Sequence, residues 1–185
     1  MSFIKDEIIE SSTILDLLKL SMLIYYFQVE FIFDMRYNTT ELLKTINFDE
    51  INLPELQKNI LREICQNSPR GKLLYFYDNK NNDFQAGITI SHIYKRISVI
   101  FRGTSSKKDW VHSLSFCKTK LMDDIYVHAG LYKQLYENNF CKNMLRDLEN
   151  LSNKFKDYDI YTSGHSGGGA LACMFGYIYS TMTPN

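Results

Sequence analysis

The segment DIYTSGHSGGGALACMF, Asp159 to Phe175, constrains the fold more than any other stretch, because three glycines follow a serine where a helix is due to begin. Glycine in a helix costs about 1 kcal/mol per residue relative to alanine. Gly167, Gly168 and Gly169 therefore answer a requirement other than helix stability. DIYTS reads as a strand, and GGGALACMFGYIYS has a helical pattern despite its glycines. A strand that turns sharply into a helix brings its own backbone into contact, and glycine permits that approach. The expected architecture is an α/β sheet with a helix lying close on it.

GHSGG, Gly164 to Gly168, fits G-x-S-x-G in the strand-to-helix context that this pattern needs. In that reading Gly164 and Gly168 make room for a sharp turn that carries Ser166 out of the sheet as a nucleophile. Gly167 offers its N–H to a reacting carbonyl, while Gly169 and Ala170 let the helix approach the sheet. Two other readings stand beside it. A phosphate cradle needs Lys and then Ser or Thr after the last glycine, whereas Ala170 and Leu171 follow here. A plain packing turn with Ser166 capping the helix would use the same glycines.

The rest of the chain supplies context. Its 185 residues suit one domain, 1–185, with a mostly helical segment over 1–70 and the α/β part over 71–185. STILDLLKLSMLIYYFQVEF predicts a core-packed helix capped by Ser12 or Thr13, with Asp16 and Lys19 as its polar residues. LPELQKNILREICQ predicts a second helix, opened by Pro54. Strands are expected near Leu73–Tyr77, Phe84–Ser91, Ile97–Phe101 and Ile160–Ser163, in a mainly parallel sheet. NKNND marks a hairpin turn between the first two, and VHAGLYKQLYENNFCKNMLRDLENL predicts one long amphipathic helix.

Composition excludes some classes. Acidic and basic residues balance at 21 each, so no nucleic-acid partner is expected, and the pairs Lys95-Arg96 and Lys107-Lys108 read as solvated surface. Cys65, Cys117, Cys141 and Cys173 form no metal-ligand or redox spacing, and no cofactor or metal is expected. The acidic start MSFIKDEIIESS lacks a signal-peptide pattern, which makes an intracellular protein with reduced thiols the expectation. The longest uncharged stretch, Leu20 to Val29, is about half a membrane span, so no transmembrane segment is expected.

A second motif, VIFRGTSSKKDW from Val99 to Trp110, runs from a strand into a polar loop, and VHAGL stands at Val127 to Leu131. Together with GHSGGGALA, these resemble the class 3 (fungal-type) lipases of the α/β-hydrolase fold, in the same order and at similar spacing, from about Leu73 to Tyr179. Gly167 stands where that family usually has Leu, and Leu131 where it usually has Phe. The resemblance implies an α/β-hydrolase-like core and a lipase-like serine ester hydrolase acting on a lipid or small ester. It makes Ser166 the nucleophile, and Thr104 with the Gly167 N–H the oxyanion hole. Gly164, His165 and Gly168 become the nucleophile elbow, and Ser105 to Ser115, with Trp110, the lid region. His165 and His128 match positions that read as structural, and His92 and His112 carry no motif signal.

Serine hydrolysis also needs a base and an acid, which in this fold follow the serine in chain order. GGGALACMFGYIYSTMTPN, after Ser166, contains no Asp, Glu or His. The expectation is a sheet incomplete at its C-terminal side and a chain inactive or weak alone, with a separate C-terminal portion or self-association as its partner. A non-catalytic lipid- or protein-binding module, or an in-chain base with His128 as first candidate, are the alternatives.

Overall fold

The computed structural model describes residues 9–27, 36–38, 54–56, 58–59, 62, 70–79, 82–103 and 117–183. Within them run helix α1 (Ser11–Leu23), a 3-10 turn (Ile24–Phe27), and strands β1 (Arg36–Asn38), β2 (Lys72–Asn79), β3 (Phe84–Ser91) and β4 (Arg96–Phe101). A hairpin of β5 (Lys118–Met122) and β6 (Ile125–His128) follows, then α2 (Ala129–Tyr136), α3 (Phe140–Lys154), β7 (Asp159–Gly164) and α4 (Gly167–Met182). In the stretch expected to be a second helix, Glu55, Leu56, Lys58, Asn59 and Arg62 are helical.

The main sheet has the order β1-β2-β3-β4-β7, and the four expected strands all lie in it. It is mixed rather than mainly parallel: β1 through β4 pair antiparallel, and only β4 with β7 is parallel. Connection length accounts for the difference. Only a few residues join β2 to β3 and β3 to β4, which permits a hairpin and nothing else. The long connection from β4 to β7, through the small hairpin and two helices, is the one that allows a parallel return.

Side-chain alternation then sorts the strands into two faces. Phe84, Ala86, Ile88 and Ile90 of β3, with Ile97, Val99 and Phe101 of β4, pack with Leu135, Phe140, Met144, Leu148, Leu171 and Phe175 from α2, α3 and α4. The opposite face meets α1 and the 3-10 turn after it, where Leu17, Leu20 and Ile24 are buried. A Cβ added to Gly87 would lie 2.7 Å from Leu73 Cδ1 and 3.4 Å from Ile24 Cδ1, which shows how tightly that layer closes. Ser21 Oγ and Ser163 Oγ, 2.6 Å apart, tie α1 to β7.

Three local expectations change. Glu10, not Ser12 or Thr13, occupies the N-cap of α1, with no side-chain cap bond. The long helix after β6 is two helices, interrupted at Asn138 and Asn139, whose φ values are 54° and 58°. Asparagine tolerates this left-handed conformation better than most residues, so the pair ends one helix and starts the next. The basic pair also divides. Lys95 is exposed and bonded to Asp157, whereas Arg96 is buried and reaches Asp16 at 3.1 Å.

Cys117, Cys141 and Cys173 are free thiols, and Cys65 lies outside the described residues. Burial pushes the Cys141 thiol from an ordinary 9.0 up to about 12. The folded chain thus holds this proton more tightly than the unfolded one. Below pH 9 both states are protonated and the group does not oppose folding. As pH rises from 9 toward 12 the unfolded thiol ionises first, and stability falls by up to about 1.4 kcal/mol per pH unit. Urea unfolding midpoints at pH 8 and pH 10.5 should therefore diverge in the wild type, and Cys141→Ala should narrow the gap. An unchanged gap in the variant would assign the alkaline loss elsewhere.

Candidate active site at the end of β7

The register pairs Phe101 of β4 with Gly164 of β7, so the two strands end side by side. Beyond them the chains part. Arg102 N–H donates to Gln85 O at 2.9 Å in β3, and the buried Arg102 guanidinium is ion-paired to Asp83 in the β2–β3 turn. Gly103 follows as a buried residue.

On the β7 side, Ser166 sits between the strand and α4 with φ 56° and ψ −125°. A non-glycine residue there carries strain on the order of 1–3 kcal/mol, held only because the surroundings leave no alternative. Those surroundings are backbone. A Cβ on Gly164 would lie 2.2 Å from Gly168 O, and one on Gly168 would lie 2.5 Å from Phe101 O. Gly168 N–H donates to His165 O at 3.0 Å and Gly169 N–H to Ser166 O at 2.9 Å, closing the turn. Ser166 is exposed at the start of α4. With Gly168 and Gly169 N–H used in the turn, it is the helix dipole that favours negative charge at this spot.

Gly103 brings the two halves together. A Cβ placed on it would lie 2.5 Å from His165 O and 3.3 Å from Ser166 Cβ. Gly103, two residues beyond β4, is thus packed against the serine turn. Thr104 comes next in sequence; Thr104 and the lid segment with Trp110 lie outside the described residues.

The histidines separate clearly. His165 Nδ1 lies 3.1 Å from the Tyr25 hydroxyl, with the two rings edge to face. His128 Nδ1 accepts from Gly130 N–H at 3.1 Å, capping α2. His92 Nδ1 lies 2.7 Å from the Tyr158 hydroxyl. His112 lies outside the described residues. His128 is therefore committed as a helix cap, which weakens it as an in-chain base.

Two contributors to the site escaped sequence reasoning. Tyr25 looked like one more apolar residue in IYYF, yet its hydroxyl also accepts from Gly103 N–H at 3.0 Å. Asp83 looked like a turn residue and is the anion that anchors Arg102. Neither position carries a local signal, because each partner is remote in sequence.

This strand–serine–helix arrangement on a mixed sheet with helices on both faces is that of the α/β-hydrolase fold. Residues 98–185 match the family described as lipase (class 3), in agreement with the motif resemblance. The structure is similar to the lipase from Rhizopus microsporus var. chinensis, at 20% identity and TM-score 0.62, covering 94% of this chain and 53% of that one. It is also similar to the Rhizomucor miehei lipase in its propeptide complex, at 16% identity and TM-score 0.59, covering 92% and 48%. A triacylglycerol lipase whose catalytic centre is described as a serine protease triad matches at 18% identity and TM-score 0.60, covering 94% and 57%. The chain thus spans about half the length of these lipases. No curated protein sequence matches it.

Proposed function

We propose that this chain carries the nucleophile half of a lipase-like serine ester hydrolase acting on acylglycerols or other carboxylic esters. The observation that carries the reading is Ser166 at φ 56°, exposed at the start of α4 and held by backbone contact between Gly164 and Gly168. Ser166 Oγ is the nucleophile, and Gly164, His165 and Gly168 form its elbow. The hydroxyl adds to the ester carbonyl carbon as its proton passes to a base. Negative charge then develops on the carbonyl oxygen, where the Gly167 N–H and Thr104 are the proposed donors. Losing one such donor typically costs about 3 kcal/mol of barrier. Trp110 belongs to the proposed lid segment over the acyl group.

The base and acid are not among the residues after Ser166, which include no Asp, Glu or His. We propose that a further C-terminal portion, or a second chain, pairs with β7 and supplies them. β7 is the edge strand of the described sheet, and an edge with free backbone groups accepts another strand. Among the described residues no helix is long and apolar enough to cross a membrane.

Purified 1–185 is expected to turn over esters weakly, to self-associate, and to label slowly at Ser166 with an alkyl fluorophosphonate. Addition of a downstream segment carrying an Asp and a His should raise labelling at least tenfold, with Ser166→Ala silent throughout. Fast ester hydrolysis by monomeric 1–185, abolished by Ser166→Ala, would instead require a base within this sequence. Lipid binding with no labelling under any condition would favour a non-catalytic binding module.

A further inference from the structure

We propose that Tyr25 is a positioning residue whose phenol oxygen locks Gly103 against the Ser166 turn and so holds that turn in its reactive geometry. This rests on the hydrolase reading above. Past the Phe101–Gly164 pair the parallel ladder ends, and Arg102 has turned its N–H to Gln85 O. Gly103 is the next residue, and its N–H finds the Tyr25 hydroxyl at 3.0 Å. The spot is closed: a Cβ on Gly103 would lie 2.4 Å from Tyr25 Oη and 2.5 Å from His165 O. A buried N–H left without its acceptor there would be costly.

The same hydroxyl has a second partner. Because its oxygen accepts from Gly103, its one proton is free to be donated to His165 Nδ1, 3.1 Å away. That assignment leaves the imidazole with its proton on Nε2. A single oxygen thereby bridges the end of β4 and the residue that precedes Ser166. Three segments remote in sequence, the turn after α1, the end of β4 and the serine turn, meet at one atom. Donors stabilise an oxyanion only when held about 2.7–3.1 Å from where it forms. Slack at Gly103 passes directly to the serine turn it packs against, where a Cβ on Gly103 would lie 3.3 Å from Ser166 Cβ. Substrate binding before reaction makes no such demand, so the loss should fall on the chemical step.

The test uses the whole chain. Arginine labelled with 13C at the carbonyl and glycine labelled with 15N select two amides, Gly71 after Arg70 and Gly103 after Arg102. Tyr25→Phe keeps the ring and removes the hydroxyl. It should speed hydrogen exchange at Gly103 at least tenfold, leave Gly71 unchanged, and slow fluorophosphonate labelling of Ser166 about tenfold. Labelling is followed by mass spectrometry over hours, and the loss should appear in the maximal rate with half-saturation unchanged. Ser21→Ala, which removes a different bond between α1 and the sheet, should leave labelling unaffected. Unchanged exchange at Gly103 in Tyr25→Phe overturns the proposal. So does a freed Gly103 with undiminished labelling, or an equal loss in Ser21→Ala. If Gly103 responds to Tyr25→Phe but wild-type Ser166 never labels, even with a downstream segment added, the hydrolase reading fails and the positioning role falls with it.

Discussion

Gly164→Ala is expected to cost about 3 kcal/mol of stability, a value at the upper end of what overpacking usually costs. The new methyl would lie 2.2 Å from Gly168 O and 2.3 Å from its carbonyl carbon. Both are backbone atoms in the first turn of a helix, so no side chain can rotate away. Gly168→Ala meets Phe101 O at 2.5 Å and should behave alike. Gly169→Ala is the informative contrast. Its methyl would approach nothing nearer than Gly164 O, at 3.2 Å, while alanine gains up to about 1 kcal/mol of helix propensity. Thermal unfolding of the three variants should therefore show two large losses and one nearly neutral change. Equal effects at all three positions would mean that helix propensity, rather than the serine turn, sets the cost.

Asp16→Ala should destabilise the chain by about 3 kcal/mol, the range found when a buried charge loses its partner. Arg96, only 3% exposed, gives one guanidinium nitrogen to Asp16 at 3.1 Å and to Arg70 O at 2.9 Å. Without the carboxylate, the buried cation keeps only weaker company, the Arg70 carbonyl and the face of the Tyr94 ring 5.0 Å from its guanidinium carbon. The double variant Asp16→Leu/Arg96→Met removes both charges and should recover much of the loss. Urea denaturation of the single and double variants tests this. If the double is no better than Asp16→Ala, the cost lies in lost helix packing rather than in an uncompensated charge.

Much of the fold was legible locally. KLLYFYD, FQAGITISH and KRISVIF are rich in residues that fit a pleated, buried surface, and each became a strand at nearly the expected limits. The hairpin between the first two was read from NKNND and is present. The sheet as a whole was expected to be mainly parallel, although the short turn from the second to the third had already excluded that for them. The interruption at Asn138-Asn139 was missed because the apolar spacing continues across it. Arg96 was read as solvated because charge in a sequence says nothing about which partner waits across the fold. At the site, the glycines around Ser166 were readable for a physical reason: the backbone they admit belongs to the same turn or to the adjoining strand. Thr104 and Trp110, carried over from the lipase resemblance, lie outside the described residues.

The sequence by itself therefore determined the strand–serine–helix turn, the three core strands with the hairpin joining the first two, and the order of the lipase-like motifs. Each depends on interactions within a few residues or on a pattern of period two. Only the tertiary structure decided that Tyr25 meets Gly103 and His165, at 78 and 140 positions' remove. It likewise decided that Asp83 holds Arg102 and that Asp16 neutralises Arg96. A tyrosine hydroxyl or a carboxylate acquires its role from whichever donor the packed layers bring within 3 Å or so. That distance is set by how α1, the sheet and α4 close on one another, and it is written in no single stretch of the chain.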